Sequence, residues 1–71
     1  MTNTPLLLLK IRQSGLKMLH VAKALGITRQ SLHDKIYNKT EFKASQIEII
    51  CTILDIGVAD RMAIFFASKV D

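Results

Sequence analysis

The sequence predicts an all-α domain of five short helices, on three observations. Apolar residues recur at spacings of three and four rather than two. The glycines, Gly15, Gly26 and Gly57, and the single proline, Pro5, fall where that periodicity breaks. At 71 residues the chain can build one hydrophobic core but not two, so residues 1–71 are read as one domain.

Thr4-Pro5 opens the first helix, with Thr4 as the expected cap and Pro5 where no amide donor is needed. Leu7, Leu8 and Ile11 form its inward stripe, and Ser14-Gly15 ends it. Leu6 and Leu9 lie partly off the stripe, completing the core or serving a partner. The second helix runs from about Met18 to Leu25, with Leu19, Ala22 and Leu25 on related faces and Val21 beside them. Gly26 stops it, Ile27 points inward, and Thr28 caps a third helix from about Arg29 to Tyr37. Leu32 and Ile36 form that helix's buried side, and Asn38 ends it in the left-handed conformation. A fourth helix spans about Ala44 to Leu54. Ala44, Ile47, Ile50, Cys51 and Leu54 point inward; Ser45, Gln46, Glu48 and Thr52 point outward. Asp55-Ile56-Gly57 breaks it, and a last segment covers residues 59–69.

Composition removes several functional classes. Hydrophobic residues make up 49% of the chain, too many for a disordered tail. No apolar run reaches the roughly 18 residues of a transmembrane span, and Leu6 to Leu9 lacks the flanks of a signal peptide. The expectation is a cytoplasmic protein with no membrane partner. Cys51 is the single cysteine, so no intrachain disulfide forms. Cys51, His20 and His33 have no metal-ligand spacing. No paired carboxylate, nucleophile–base pair or glycine-rich phosphate loop suggests an enzyme. No metal, cofactor or small-molecule ligand is expected.

Charge is unevenly placed. Residues 1–40 carry seven lysines and arginines against Asp34 alone, a net +6; residues 41–71 carry three against five acids, a net −2. One strongly basic half is the footprint expected of a protein that meets a polyanion.

Residues 18–37 carry the informative constellation. Ala22 is small where two helices would cross closely. Gly26 supplies a positive φ for a tight turn, Ile27 plugs the gap between the helices, and Thr28 caps the following helix so that its amino end projects. With Leu32 and the basic face, this pattern reads as a helix-turn-helix.

The stretches Gly26-Ile27-Thr28-Arg29, Lys35-Ile36-Tyr37-Asn38-Lys39-Thr40-Glu41-Phe42 and Ile47-Glu48-Ile49-Ile50-Cys51 resemble the Cro/CI-type (XRE family) helix-turn-helix proteins, and more narrowly short phage or prophage members. The resemblance runs from about Leu7 to Phe66. It implies a compact five-helix, lambda-repressor-like domain that binds double-stranded operator DNA as a homodimer, with its third helix in the major groove. The chain departs from the family where Lys17-Met18 replaces a Ser/Thr-Gln pair. Ile11 and Ile36 stand where many relatives carry an Arg–Glu pair, Lys35 where many are hydrophobic, and Asn38 where glycine is usual.

On that third helix, Arg29 can chelate guanine O6 and N7, or contact phosphate. Gln30 can pair with adenine N6 and N7. Ser31 is short enough for one contact. His33 can reach a base or phosphate, and Asp34 can take cytosine N4 or orient Arg29 or Lys35. Lys17, Lys35, Tyr37, Asn38, Lys39 and Thr40 are the expected phosphate contacts. The apolar surplus in the last segment, Met62, Phe65 and Phe66, is the expected dimer interface, with one of the two adjacent rings left for the core. The competing reading is a protein-interaction module that keeps the helix-turn-helix as a scaffold and docks a protein through that segment.

Overall fold

A computed structural model describes residues 1–66 of the chain. Its five helices are α1 (Thr4–Ser14), α2 (Met18–Leu25), α3 (Arg29–Ile36), α4 (Ala44–Ile53) and α5 (Val58–Phe65), and no strand occurs among the described residues. The helices are 8 to 11 residues long. Isolated helices of that length are marginal in water, so each persists through its packed face and its ends. The radius of gyration is 11.2 Å, against roughly 11 Å for a compact chain of this size.

α2 sits at the centre, against α3 and α4, while α1 packs on α3 and α5. One core joins all five helices: Leu7 and Ile11 from α1, Val21, Ala22 and Leu25 from α2, Leu32 and Ile36 from α3, Ile47, Ile50 and Cys51 from α4, and Ile64 and Phe65 from α5. Leu54 and Ile56, after α4, close it. Ile11 and Ile36 are both buried, so these two core positions desolvate no charge. Phe65 meets Phe42 edge to face, ring centroids 5.5 Å apart.

Three helices end in the same motif. After α2, the Ile27 amide donates to the Ala22 carbonyl and the Gly26 amide to that of Lys23. After α3, Lys39 donates to Asp34 and Asn38 to Lys35; after α4, Ile56 donates to Cys51 and Asp55 to Thr52. Each pair satisfies carbonyls that a helix end leaves open, and each needs one left-handed residue. Those residues are Gly26 (φ 71°), Asn38 (φ 66°) and Asp55 (φ 53°). Gly26 is thus held by backbone conformation and not by crowding, since an added Cβ would meet nothing within 4 Å.

Several sequence expectations need correction. Asn3, not Thr4, caps α1 by accepting the Leu6 amide proton at 3.2 Å; the Thr4 hydroxyl instead donates to the Ile36 carbonyl and ties α1 to α3. Leu19 is half exposed and Val21 fully buried. The buried arc of α2 is centred on Val21, Ala22 and Leu25, and at 100° per residue Leu19 lies about 110° from that centre. Leu6 and Leu8 pack only partly against the core, and Leu9 is exposed. In α4, Ala44 is exposed and Gln46 buried, because the Gln46 Oε1 reaches back to accept the Lys43 amide proton at 2.9 Å. α3 stops at Ile36, with Tyr37 already outside it, and α5 stops at Phe65. The expected continuation over Ala67 to Lys69 lies outside the described residues.

Leu32 has no exposed surface. Leu32→Ala is expected to lose about 2–5 kcal/mol, against a total of about 3–5 kcal/mol for so small a core. Circular dichroism should show it largely unfolded at 25 °C; a cooperative melt close to that of the wild type would contradict the assignment of the core.

Candidate nucleic-acid interface

The turn between α2 and α3 uses two residues, Gly26 and Ile27, before the cap. Thr28 is extended (φ −75°, ψ 160°) and its hydroxyl oxygen accepts the Ser31 amide proton at 3.0 Å. Ile27 is half-buried against the core. With Leu32 and Ile36 inward, the first turn of α3 points away from the core. Arg29 and Gln30 are exposed, as is His33, while Ser31 and Asp34 are half-buried.

This exposed edge is organised. Gln30 Nε2 donates to Asp34 Oδ1 at 2.9 Å, one turn along the helix. The same carboxylate oxygen lies 3.9 Å from His33 Nδ1. The His33 and Tyr37 rings are 4.5 Å apart, inclined by 33°, and Tyr37 is exposed. The loop after α3 folds back so that the Lys39 and Thr40 amides both donate to the Asp34 carbonyl, leaving their side chains exposed.

Two expected phosphate contacts have other duties. Lys35 is buried, 9% exposed, about 60° around the helix from Leu32 at the edge of the inward arc; its Nζ donates to the Glu41 carbonyl at 3.0 Å and secures the loop. The Asn38 side chain clasps the amino-terminal segment. Its Oδ1 accepts from the Thr2 amide at 2.8 Å and its Nδ2 donates to the Thr2 carbonyl at 3.0 Å. Both side chains hold the framework of the loop, and Lys17, Lys39 and Thr40 remain free to face outward.

The cations divide in a telling way. Lys10 pairs with Asp60 at 2.7 Å and Arg61 with Glu48 at 3.1 Å. Arg12, Lys17, Lys23, Arg29, Lys39 and Lys43 are exposed and have no carboxylate partner among the described residues. Lys17 caps α2, Arg29 opens α3 and Lys43 caps α4, and none of these helices has an acid in its first turn. A helix amino terminus already carries partial positive charge, so a cation there is disfavoured by about 0.3–1 kcal/mol. An anionic ligand removes that penalty and draws on the open amides as well. Sequence reading passed over Lys43 because it belongs to the acidic half; its place immediately before the Ala44 helix was the available signal.

Elsewhere, Cys51 is buried in the core, as its position on the inward stripe suggested, and burial pushes its thiol pKa up, with nearby Arg61 opposing and Glu48 adding to the rise. Among the described residues no helix is long and apolar enough to cross a membrane. Comparison of the chain with family models, curated proteins and solved structures returns no match.

The Asn38 clasp can be separated from its backbone role. Asn38→Gly keeps the left-handed residue and loses the bonds to Thr2. Asn38→Ala loses both and pays about 1–2 kcal/mol more for its φ. Denaturation midpoints should fall in the order wild type, glycine, alanine; an alanine variant as stable as the glycine variant would contradict the strain at this position.

Proposed function

We propose that the protein is a sequence-specific DNA-binding regulator of the Cro/repressor kind. α2, the turn and α3 act as a helix-turn-helix, with α3 in the major groove of double-stranded operator DNA. The observation that carries this reading is the set of three helix starts bearing Lys17, Arg29 and Lys43 without a first-turn acid or an ion-pair partner among the described residues. A polyanion offers phosphates at several points at once, which a small anion does not. The exposed first turn of α3 supports the assignment further. Arg29 has the fork that matches guanine O6 and N7, and Gln30 the amide that matches adenine N6 and N7. Lys17, Lys39, Thr40 and Tyr37 hold the backbone, and Lys43 joins them. Regulation then works by occupancy: a bound operator excludes polymerase, and no cofactor takes part.

The working unit in this reading is a homodimer. Val58, Met62 and Phe66 follow one another at spacings of four, and all three are exposed, Val58 by 80%, Met62 by 53% and Phe66 by 49%. Phe65 completes the core, so Phe66 is the ring available to a partner. A two-fold axis through this stripe would set two copies of α3 one DNA turn apart, roughly 34 Å, and double the phosphate contacts. The same stripe favours the second reading, a module that docks a different protein on α5.

Binding to a duplex selected from a random pool separates the readings. Affinity should fall steeply with salt, with a log–log slope near −0.9 for each of roughly 4–6 phosphates per subunit. Lys39→Ala should weaken every sequence alike and flatten that slope. Gln30→Ala should cost about 1–3 kcal/mol on the selected site and relax preference at one base pair. A flat salt response contradicts DNA binding.

Sedimentation tests the dimer. The wild type should sediment as a dimer on its operator, and Phe66→Ser should give a folded monomer with weakened binding. A wild type that occupies its operator only as a monomer contradicts the assembly.

A further inference from the structure

Gln30 and Asp34 stand one turn apart on α3, joined by the bond from Gln30 Nε2 to Asp34 Oδ1 at 2.9 Å. An ionised carboxylate only accepts hydrogen bonds, so the amide nitrogen of Gln30, and not its oxygen, has to face Asp34. That bond determines what Gln30 has left to offer. Its Oε1 remains an acceptor, and Nε2 keeps one of its two N–H groups. Among the described residues no other hydrogen bond reaches the Asp34 carboxylate: the Lys39 and Thr40 amides go to its backbone carbonyl, and His33 Nδ1 stands off at 3.9 Å.

We propose that Asp34 is a positioning residue that sets the base preference of Gln30 by withholding one amide proton. The inference rests on the DNA-binding reading above. In the major groove adenine presents one donor, N6–H, and one acceptor, N7; guanine presents two acceptors, N7 and O6. A free glutamine amide can meet either, giving one proton and taking one for adenine, or giving both protons to guanine. With one proton held by Asp34, the remaining donor and acceptor match adenine and leave one guanine acceptor without a donor. The carboxylate itself, an acceptor beside that edge, opposes guanine in the same sense. Asp34 therefore acts through Gln30 and is not itself a reader of cytosine.

The test uses the full chain and duplexes carrying the selected site, varied at the base pair whose preference Gln30→Ala abolishes. Dissociation constants for the adenine and guanine versions are measured by fluorescence anisotropy, with helicity checked by circular dichroism. Wild type should favour adenine by about tenfold or more. Asp34→Ala should bring the ratio close to one. Asp34→Asn, which is isosteric, should give an intermediate ratio, because a carboxamide can accept from Nε2 or donate to Oε1 and lets Gln30 turn either way. In a Gln30→Ala background neither Asp34 change should alter the ratio. An undiminished adenine preference in Asp34→Asn and Asp34→Ala overturns the proposal while leaving DNA binding standing. So does a wild-type preference for guanine, or an equal effect of Asp34→Ala without Gln30. Wild-type binding with no sequence preference at any position overturns the reading and the proposal together.

Discussion

Two residues, Gly26 and Ile27, carry the chain from the end of α2 to the cap of α3, and the rest of the molecule depends on that reversal. The left-handed Gly26 lets two backbone bonds close α2. Ile27 drops toward the core, and Thr28 restarts the chain with its hydroxyl on the Ser31 amide. With so short a link α3 has little freedom, and Leu32 and Ile36 fix its rotation about its own axis. The outward position of Arg29 and Gln30 is a consequence of where Leu32 goes. Helices of this length hold together only as a set, so the geometry of the exposed edge is inherited from the core.

The parts of the fold that were legible in the sequence are those governed by local rules. Gly26, Thr28 and Asn38 announce stops and starts through backbone conformation, and α2 and α3 begin where expected. The misses share a physical origin in polar side chains that find a backbone partner their residue type does not announce. Lys35 reads as exposed from its charge, yet its angular place on α3 buries it, with one carbonyl, that of Glu41, to receive its ammonium. Gln46 reads as an outward polar residue, yet its oxygen is drawn to the Lys43 amide. Thr4 reads as a cap, yet its hydroxyl is used 32 residues away, on Ile36, while Asn3 takes the capping role. At the candidate interface the residue types were legible, and the signal for their pairing was the i, i+4 spacing, which brings Asp34 to Gln30 and not to Arg29 or Lys35.

A small chain leaves few side chains for binding alone. Asn38 supplies the left-handed residue after α3 and also clasps Thr2, while the Asn3 amide donates to the Ile64 carbonyl at 2.7 Å. The amino-terminal segment is thereby stitched between the α3 loop and α5, the element that bears the exposed Val58, Met62 and Phe66 stripe. The loop that presents Lys39 and Thr40 is held from inside by Lys35. Charges follow the same division: the carboxy-terminal half compensates Lys10 and Arg61 with Asp60 and Glu48, and the cations without partners among the described residues fall mostly in the amino-terminal half.

The central claim is that the outward edge of α3, with the loop that follows it, meets duplex DNA. The most direct measurement is the response of individual backbone amides, by nitrogen-15 nuclear magnetic resonance, as a short duplex is added. The account predicts the largest shifts from Thr28 to His33 and at Lys39 and Thr40, with Lys17 and Lys43 moving as the ends of α2 and α4 engage phosphate. Shifts confined to Val58, Met62 and Phe66, or none up to saturating duplex, would contradict it.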